Sequence, residues 1–326
     1  MILHSADTLS KKIEEAIQNI SFDLKPASLF EPISYSLSVG GKRVRPLLAL
    51  LATDMFGKEV DQSLKPAIGI EIFHNFTLLH DDLMDNSDMR RGMPAVHKKW
   101  DANTAILSGD AMLIESYKHV SSVPPAILPE ILALFSKTAM EVCQGQQLDM
   151  DFEKRTDVTE SEYLEMIVLK TAVLLACSLK MGALLAGASP RDAELLYTFG
   201  INIGLAFQLK DDLLDVYGDV KTFGKNIGGD IVSNKKTYLL IKALKTSGER
   251  QRTELLKWIT AEKFDKNEKI ESVKNIYNDL NLKSISENLI EKYYLAALDS
   301  LSLVHVADER KKELISLSEN LMYREK

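Results

Sequence analysis

Residues 66–85 read PAIGIEIFHNFTLLHDDLMD, and this stretch decides the fold. Ile68, Ile70, Ile72, Phe73, Phe76, Leu78, Leu79 and Leu83 make it too apolar for a surface helix, so it reads as a helix inside a helical protein. It ends in acid. Asp81 and Asp85 stand at i and i+4 on one face, and Asp82, about 100° round, widens the acidic patch. Three carboxylates in one turn repel each other, and no stability argument favours them without a cation. Hard oxygen ligands of this kind suit Mg²⁺, which keeps several waters and shares its shell with substrate phosphates. The pattern recurs after a second apolar run as Asp211-Asp212-Leu213-Leu214-Asp215. Two such patches facing each other would hold a diphosphate between them through bridging metals.

Working outward, most of the chain reads as helix. Leu47–Met55 follows Pro46, which suits a first helical turn. Residues 94–117, 129–148, 161–186 and 190–217 continue the pattern, with Ser161 as an N-cap. Alternating strand patterns with tight glycine turns are almost absent, so the fold class is all-α. No linker rich in Pro, Gly or Ser divides the chain, which predicts one domain over residues 1–326. The charged stretch from Ser247 to Lys283 reads as surface helices and loops with little catalytic content.

The net charge of −7 excludes a general nucleic-acid binder, and basic residues are instead concentrated at Lys42, Arg43 and Arg45 and at Arg90 and Arg91. A locally basic patch on an acidic protein points to an anionic small molecule. Cys143 and Cys177 read as two buried thiols in a reducing compartment. No signal peptide is visible and no uninterrupted apolar run reaches about 18 residues. No membrane span is therefore expected, and the location expected is the cytoplasm.

Five ordered blocks carry a resemblance. They are Gly40-Gly41-Lys42-Arg43-Val44-Arg45-Pro46, His80 to Asp85 with Arg90-Arg91-Gly92, Phe207 to Asp215, Gly224-Lys225, and Gly229-Asp230 with Lys235. In this order the chain resembles the trans-isoprenyl diphosphate synthases of the polyprenyl synthetase family. The resemblance implies one large helical bundle with a central cavity, a homodimer, and isopentenyl diphosphate and allylic prenyl diphosphates as substrates. It makes Lys42, Arg45, His74 and Arg91 the isopentenyl diphosphate site. It gives Arg90, Lys170, Lys225 and Lys235 to the allylic diphosphate. Three Mg²⁺ ions per active site are implied, with Asp81, Asp85, Asp211 and Asp215 as ligands. Asp82, Lys170, Thr171 and Gln208 join the catalytic set, Gln146 and Asp149 line the cavity, and the tail Tyr323–Lys326 closes over it. His80 stands behind Asp81, orienting it or packing nearby. Ionisation would leave an allylic carbocation for the isopentenyl double bond to attack, with the released diphosphate taking the proton.

Product length is read upstream of the first motif. Thr77, Phe76 and Phe73 stand 4, 5 and 8 residues before Asp81, progressively deeper along one wall. A bulky Phe76 beside a small Thr77 looks most like geranylgeranyl (C20) enzymes, with farnesyl (C15) close behind, and Phe73 argues against long products. Three other readings compete. A terpene cyclase would lack the Gly40–Pro46 block and carry an altered second motif. An HD-type phosphohydrolase, prompted by His80-Asp81, would need more metal-binding histidines. A non-catalytic synthase subunit would have lost one aspartate motif.

Overall fold

The computed structural model describes residues 3–218 and 227–322, which are helical nearly throughout. Packing divides the chain into two compact units. The first comprises Met1–Lys137, Cys177–Leu196 and His305–Leu314, and the second Thr138–Ala176, Tyr197–Val304 and Ile315–Lys326.

In the first unit, α1 (Ala6–Gln18), α2 (Ala27–Ser38), α3 (Val44–Met55) and α4 (Asp61–Met84) lead to a hairpin, β1 (Met89–Arg90) with β2 (Met93–Pro94). Helices α5 (Val96–Lys99) and α6 (Ala102–Val120) follow. The expected buried helix is α4, with Ile68, Ile70, Ile72, Phe73 and Leu79 at 3 % exposure or less. Its main partner is α6, and the two run antiparallel. A Cβ on Gly69 would sit 2.9 Å from the Ser116 carbonyl, and one on Gly109 would sit 2.2 Å from His80 Nε2. Glycine at 69 lets the two backbones come this close, and glycine at 109 leaves room for the His80 ring. Burial of the apolar faces of α3, α4 and α6 is the main stabilising term here.

The helix expected from Pro94 is corrected. Pro94 lies in β2, and the chain breaks at Trp100 before Asp101 restarts it as the N-cap of α6, its carboxylate accepting Thr104 N–H at 2.9 Å. The hairpin turns on Arg91 (φ 51°) and Gly92 (φ 78°), the paired left-handed residues of a type I′ turn. Tyr35 in α2 donates its hydroxyl to the Pro94 carbonyl at 2.8 Å and ties the hairpin down.

Helices α7 (Leu128–Glu153), α8 (Glu160–Ile167), α9 (Val173–Leu185) and α10 (Pro190–Tyr217) correspond to the long apolar runs. Helix α8 starts earlier than Ser161, on Thr159. Thr159 and Glu162 form a reciprocal capping box, with the Glu162 carboxylate accepting Thr159 N–H at 2.9 Å. Between α8 and α9 lies a π-helical turn, Val168–Ala172, a distortion that often marks a functional position. The run Glu160–Leu185 is long and apolar enough to cross a membrane, yet 72 % of its most apolar window is buried inside the protein. That is the composition of a core helix.

The second unit continues through α11 (Gly229–Val232), α12 (Tyr238–Thr246), α13 (Glu249–Thr260), α14 (Lys266–Asp279) and α15 (Leu282–Ser302). The charged stretch from Ser247 carries more core than expected. Leu255, Trp258, Val273, Ile276 and Tyr277 are all buried, with charged side chains covering the outer faces. Of the two free cysteines Cys177 is buried, but Cys143 is exposed, because position 143 turns outward on α7.

Candidate active site

In the first unit the site is built where α3 begins. Gly40 (φ 82°), Gly41 (φ 138°) and Arg43 (φ 44°) bend the chain through left-handed conformations into α3, with Lys42 exposed. Arg45, in the first turn, donates from Nη1 to His74 Nε2 on α4 at 3.0 Å. Burial and the charges of Arg45, Arg91, Arg90 and Arg43 push the His74 pKa well below its ordinary value, so the ring is a neutral acceptor. Burial also pulls Arg45 down to about 10, against the pull of Glu71. The Arg45 Nε is buried and has no hydrogen-bond partner among the described residues. A half-buried cation with an unused donor suits an anion site. Arg91 completes the cluster by donating Nη1 to the Gly40 carbonyl. Four of the expected residues, Lys42, Arg45, His74 and Arg91, therefore share one corner of this unit.

The first acidic motif does not behave as a uniform patch. Asp81 is partly exposed and Asp85 exposed, whereas Asp82 is 4 % exposed. Arg90 Nε donates to both Asp82 oxygens at 3.0 and 3.1 Å, and Nη2 adds a further bond to Oδ1. The expectation that Asp82 widens the patch is corrected, because it turns inward onto its own counter-ion. The Arg90 guanidinium also lies 3.8 Å from Asp81. His80 packs against its neighbours. Its Nε2 stands 3.2 Å from the Ile106 carbonyl, and its ring meets Phe76 edge-on at 4.8 Å. Phe76 in turn stacks on Phe73 at 5.5 Å, and Phe73 on Phe135 at 5.3 Å. Thr77 bonds back to the His74 carbonyl at 2.8 Å.

In the second unit α10 presents Asp211, Asp212 and Asp215. The central acid is again buried, at 3 % exposure. Asp212 accepts from the Tyr163 hydroxyl of α8 and from Gln208 Nε2 at 3.0 Å, and Thr171 donates to Gln208 Oε1 at 3.2 Å. Burial and the Asp230 charge push the Asp212 pKa up. The same causes push Asp215 up to about 6, although its Oδ2 accepts Asp230 N–H at 2.9 Å as a cap on α11. Lys235 opposes both shifts from the same loop. Acids crowded so that one charge raises the pKa of two others suit a divalent cation.

Lys170 lies in the π-helical turn and pairs with Asp149 of α7 at 2.6 Å. A Cβ on Gly145 would come within 2.2 Å of Lys170 N, so α7 can meet this turn only at glycine. Lys225 and the tail Tyr323–Lys326 lie outside the described residues. Among the described residues no three His, Cys, Asp or Glu side chains converge as a finished metal cage. The outer acids, half-buried or exposed, fit instead a metal that takes one or two carboxylates and completes its shell with water and phosphate oxygens.

Sequence reasoning missed Tyr163, which sits in an ordinary amphipathic helix with no local signal. It also missed the roles of Glu71 and Asn75 behind the cation cluster, although a glutamate and an asparagine inside so apolar a helix were a usable signal.

A helical protein with two acid-rich helix ends, each accompanied by cations of its own unit, belongs to the class that handles metal-bound diphosphates. The chain is a member of the polyprenyl synthetase family, whose sequence profile matches residues 26–280. The geranylgeranyl diphosphate synthase of Methanosarcina mazei is 44 % identical over 236 residues, covering 72 % of this chain and 73 % of the relative. The short chain isoprenyl diphosphate synthase of Methanothermobacter thermautotrophicus is 40 % identical over 248 residues, 76 % of each chain. A crystal structure of a geranylgeranyl pyrophosphate synthase superposes with a TM-score of 0.94 at 44 % identity, covering 99 % of both chains. The fold is thus the all-α fold of these enzymes, and the chain is a prenyltransferase. Membership brings a divalent-metal requirement.

Proposed function

We propose that this chain condenses isopentenyl diphosphate with allylic diphosphates and that geranylgeranyl diphosphate (C20) is its main product. The observation that carries this is the corner formed by Lys42, Arg45, His74 and Arg91, with a buried Arg45 donor unused. A neutral histidine there leaves the net charge to the arginines and lysine, which suits a diphosphate. Arg90, Lys170, Lys225 and Lys235 serve the allylic diphosphate, and Asp81, Asp85, Asp211 and Asp215 hold Mg²⁺, three ions per site. When bound, the metal neutralises charge on the departing diphosphate. The protein's own share is positioning by cations, acceptance of charge by Lys170 and Arg90, and exclusion of water by apolar helices. Thr171 and Gln208, already bonded to each other at 3.2 Å, orient polar atoms near the reacting carbons. Phe76 and Phe73 set the depth available to the growing chain.

The C20 assignment draws support from the M. mazei relative and from the Phe76–Thr77 pair. One catalytic domain spanning residues 1–326, a homodimer and a cytoplasmic location complete the proposal. Leu107 and Ile114, 59 % and 62 % exposed and two turns apart on α6, support association of two copies. Purified protein with Mg²⁺, isopentenyl diphosphate and each of the C5, C10 and C15 primers tests the chemistry by chromatography and mass spectrometry. A dominant C20 product that disappears on chelation is expected. No elongation with any primer would overturn the proposal, and a dominant C15 product would move it to farnesyl diphosphate. Light scattering of the purified protein checks the dimer, and cell fractionation the location.

A further inference from the structure

Arg43 sits in the middle of the basic block, yet its guanidinium is fully engaged inside the protein. It is 5 % exposed and donates from Nη1 to Glu71 Oε1 at 2.9 Å, from Nε to Glu14 Oε1 at 3.0 Å and from Nη2 to the Leu37 carbonyl at 2.7 Å. Glu71, on α4, is 2 % exposed. Its Oε1 also accepts from Asn75 Nδ2 at 3.1 Å, and Asn75 Nδ2 bonds the Glu71 carbonyl at 2.8 Å. Reaching a substrate phosphate would cost Arg43 three acceptors.

What this pair fixes is the backbone on either side of it. Gly40, Gly41 and Arg43 all have positive φ, and no ladder of backbone bonds defines such a loop. Arg43 is the one non-glycine among them, and its side chain is the anchor. Lys42 precedes it directly and Arg45 follows two residues on. On α4, Glu71, His74 and Asn75 stand at i, i+3 and i+4, one face. Glu71 grips Arg43 and His74 grips Arg45, so two rungs join the start of α3 to α4. Buried ion pairs add little net stability, and their best-attested use is to fix one geometry among several.

We propose that Glu71, acting through Arg43, is a positioning residue for the isopentenyl diphosphate pocket, setting where Lys42 and Arg45 present their charges. This rests on the assignment of Lys42 and Arg45 to that substrate.

Glu71→Gln keeps the shape and removes the charge. Steady-state kinetics, varying each substrate with the other saturating, should show KM for isopentenyl diphosphate rising about tenfold. The allylic KM and kcat should stay within about twofold, and Glu71→Asp should recover most of the loss. Should Glu71→Gln not fold, Arg43→Lys, which keeps the charge but loses the fork, must give the same split. An unchanged isopentenyl KM, or equal rises in both KM values, overturns the inference. Lys42→Ala and Arg45→Ala run alongside. If these raise the isopentenyl KM while Glu71→Gln does not, only the positioning role falls. If neither raises it, the substrate assignment falls and takes the positioning role with it.

Discussion

Replacing Arg90 with Met separates two jobs that the structure loads onto one side chain. Arg90 is the counter-ion of a buried carboxylate, bonding both Asp82 oxygens from Nε at 3.0 and 3.1 Å, and it is also the cation proposed for the allylic diphosphate. Removing one partner of a fully buried ion pair costs about 3–5 kcal/mol. The Asp82 side chain is 5 % exposed but that of Arg90 is 30 % exposed, so water screens part of the loss. A cost of about 2–3 kcal/mol is expected for Arg90→Met. Asp82→Asn added to it removes the stranded charge, and the double variant should recover about 2 kcal/mol of that loss. Urea unfolding of the parent, both single variants and the double variant gives the coupling directly. Activity should part company with stability, the double variant staying at least about tenfold down in kcat/KM for the allylic substrate. If Arg90→Met unfolds within about 0.5 kcal/mol of the parent, Asp82 does not depend on it. If the double variant regains full activity, Arg90 is a counter-ion and nothing more.

Two further outcomes follow from the same geometry. Phe76→Ala should lengthen the product by one isoprene unit, because Phe73 stands one helical step of about 4.5 Å deeper and is held by Phe135 at 5.3 Å. An unchanged product distribution by mass spectrometry would remove Phe76 as the floor. For pH, the folded pKa of His74 is depressed by burial and four arginines, so below the ordinary histidine value the unfolded chain binds a proton that the folded chain refuses. Its contribution to stability is therefore retained at neutral pH and lost as pH falls below about 6.5, at up to about 1.4 kcal/mol per pH unit. Unfolding midpoints at pH 7.5 and pH 5.5 should fall less in His74→Gln than in the parent, and equal falls would refute the assignment.

Much of this was legible in the sequence, and for a physical reason. Helical periodicity and two acid-ended apolar runs are local properties, so α10 appears over the expected 190–217 and α4 ends at the expected Met84, although it starts at Asp61, a turn before Pro66. Gly40–Pro46 and Arg90–Arg91 stand out as two basic clusters, and the structure ties them together where Arg91 donates to the Gly40 carbonyl. What the sequence hid depends on non-local partners. The hairpin around Arg91-Gly92 is two residues to a strand, too short for any alternation to register. Nothing near Lys170 in the sequence announces its partner Asp149, which α7 brings to 2.6 Å across a glycine contact. The segment after Ser247 looked like surface because its charges outnumber its apolar residues. Yet Lys269, 1 % exposed, donates to the Val232 carbonyl and to Asn234 Oδ1, holding the loop that presents Lys235.

The two aspartate motifs show why a helical wheel alone misjudges such a site. Counting acids on a wheel treats Asp82 and Asp212 as extra ligands. Each, however, falls on the face that its own helix buries. Asp82 stands three residues after Leu79 and seven after Asn75, both buried, and Asp212 stands three after Leu209 and seven after Leu205, both buried. A carboxylate forced onto such a face must find donors within its own unit, and the two motifs find different ones. In the first unit a guanidinium from the hairpin does it, and in the second a phenol and an amide, Tyr163 and Gln208, share the task. Asp82 thus has a charged partner, whereas at Asp212 burial and the Asp230 charge raise the pKa against the pull of two neutral donors. The central acid of each motif is thus buried and hydrogen-bonded within its own unit. The outer acids, Asp81, Asp85, Asp211 and Asp215, lie on faces that are less buried. The same five-residue pattern therefore carries two electrostatic designs.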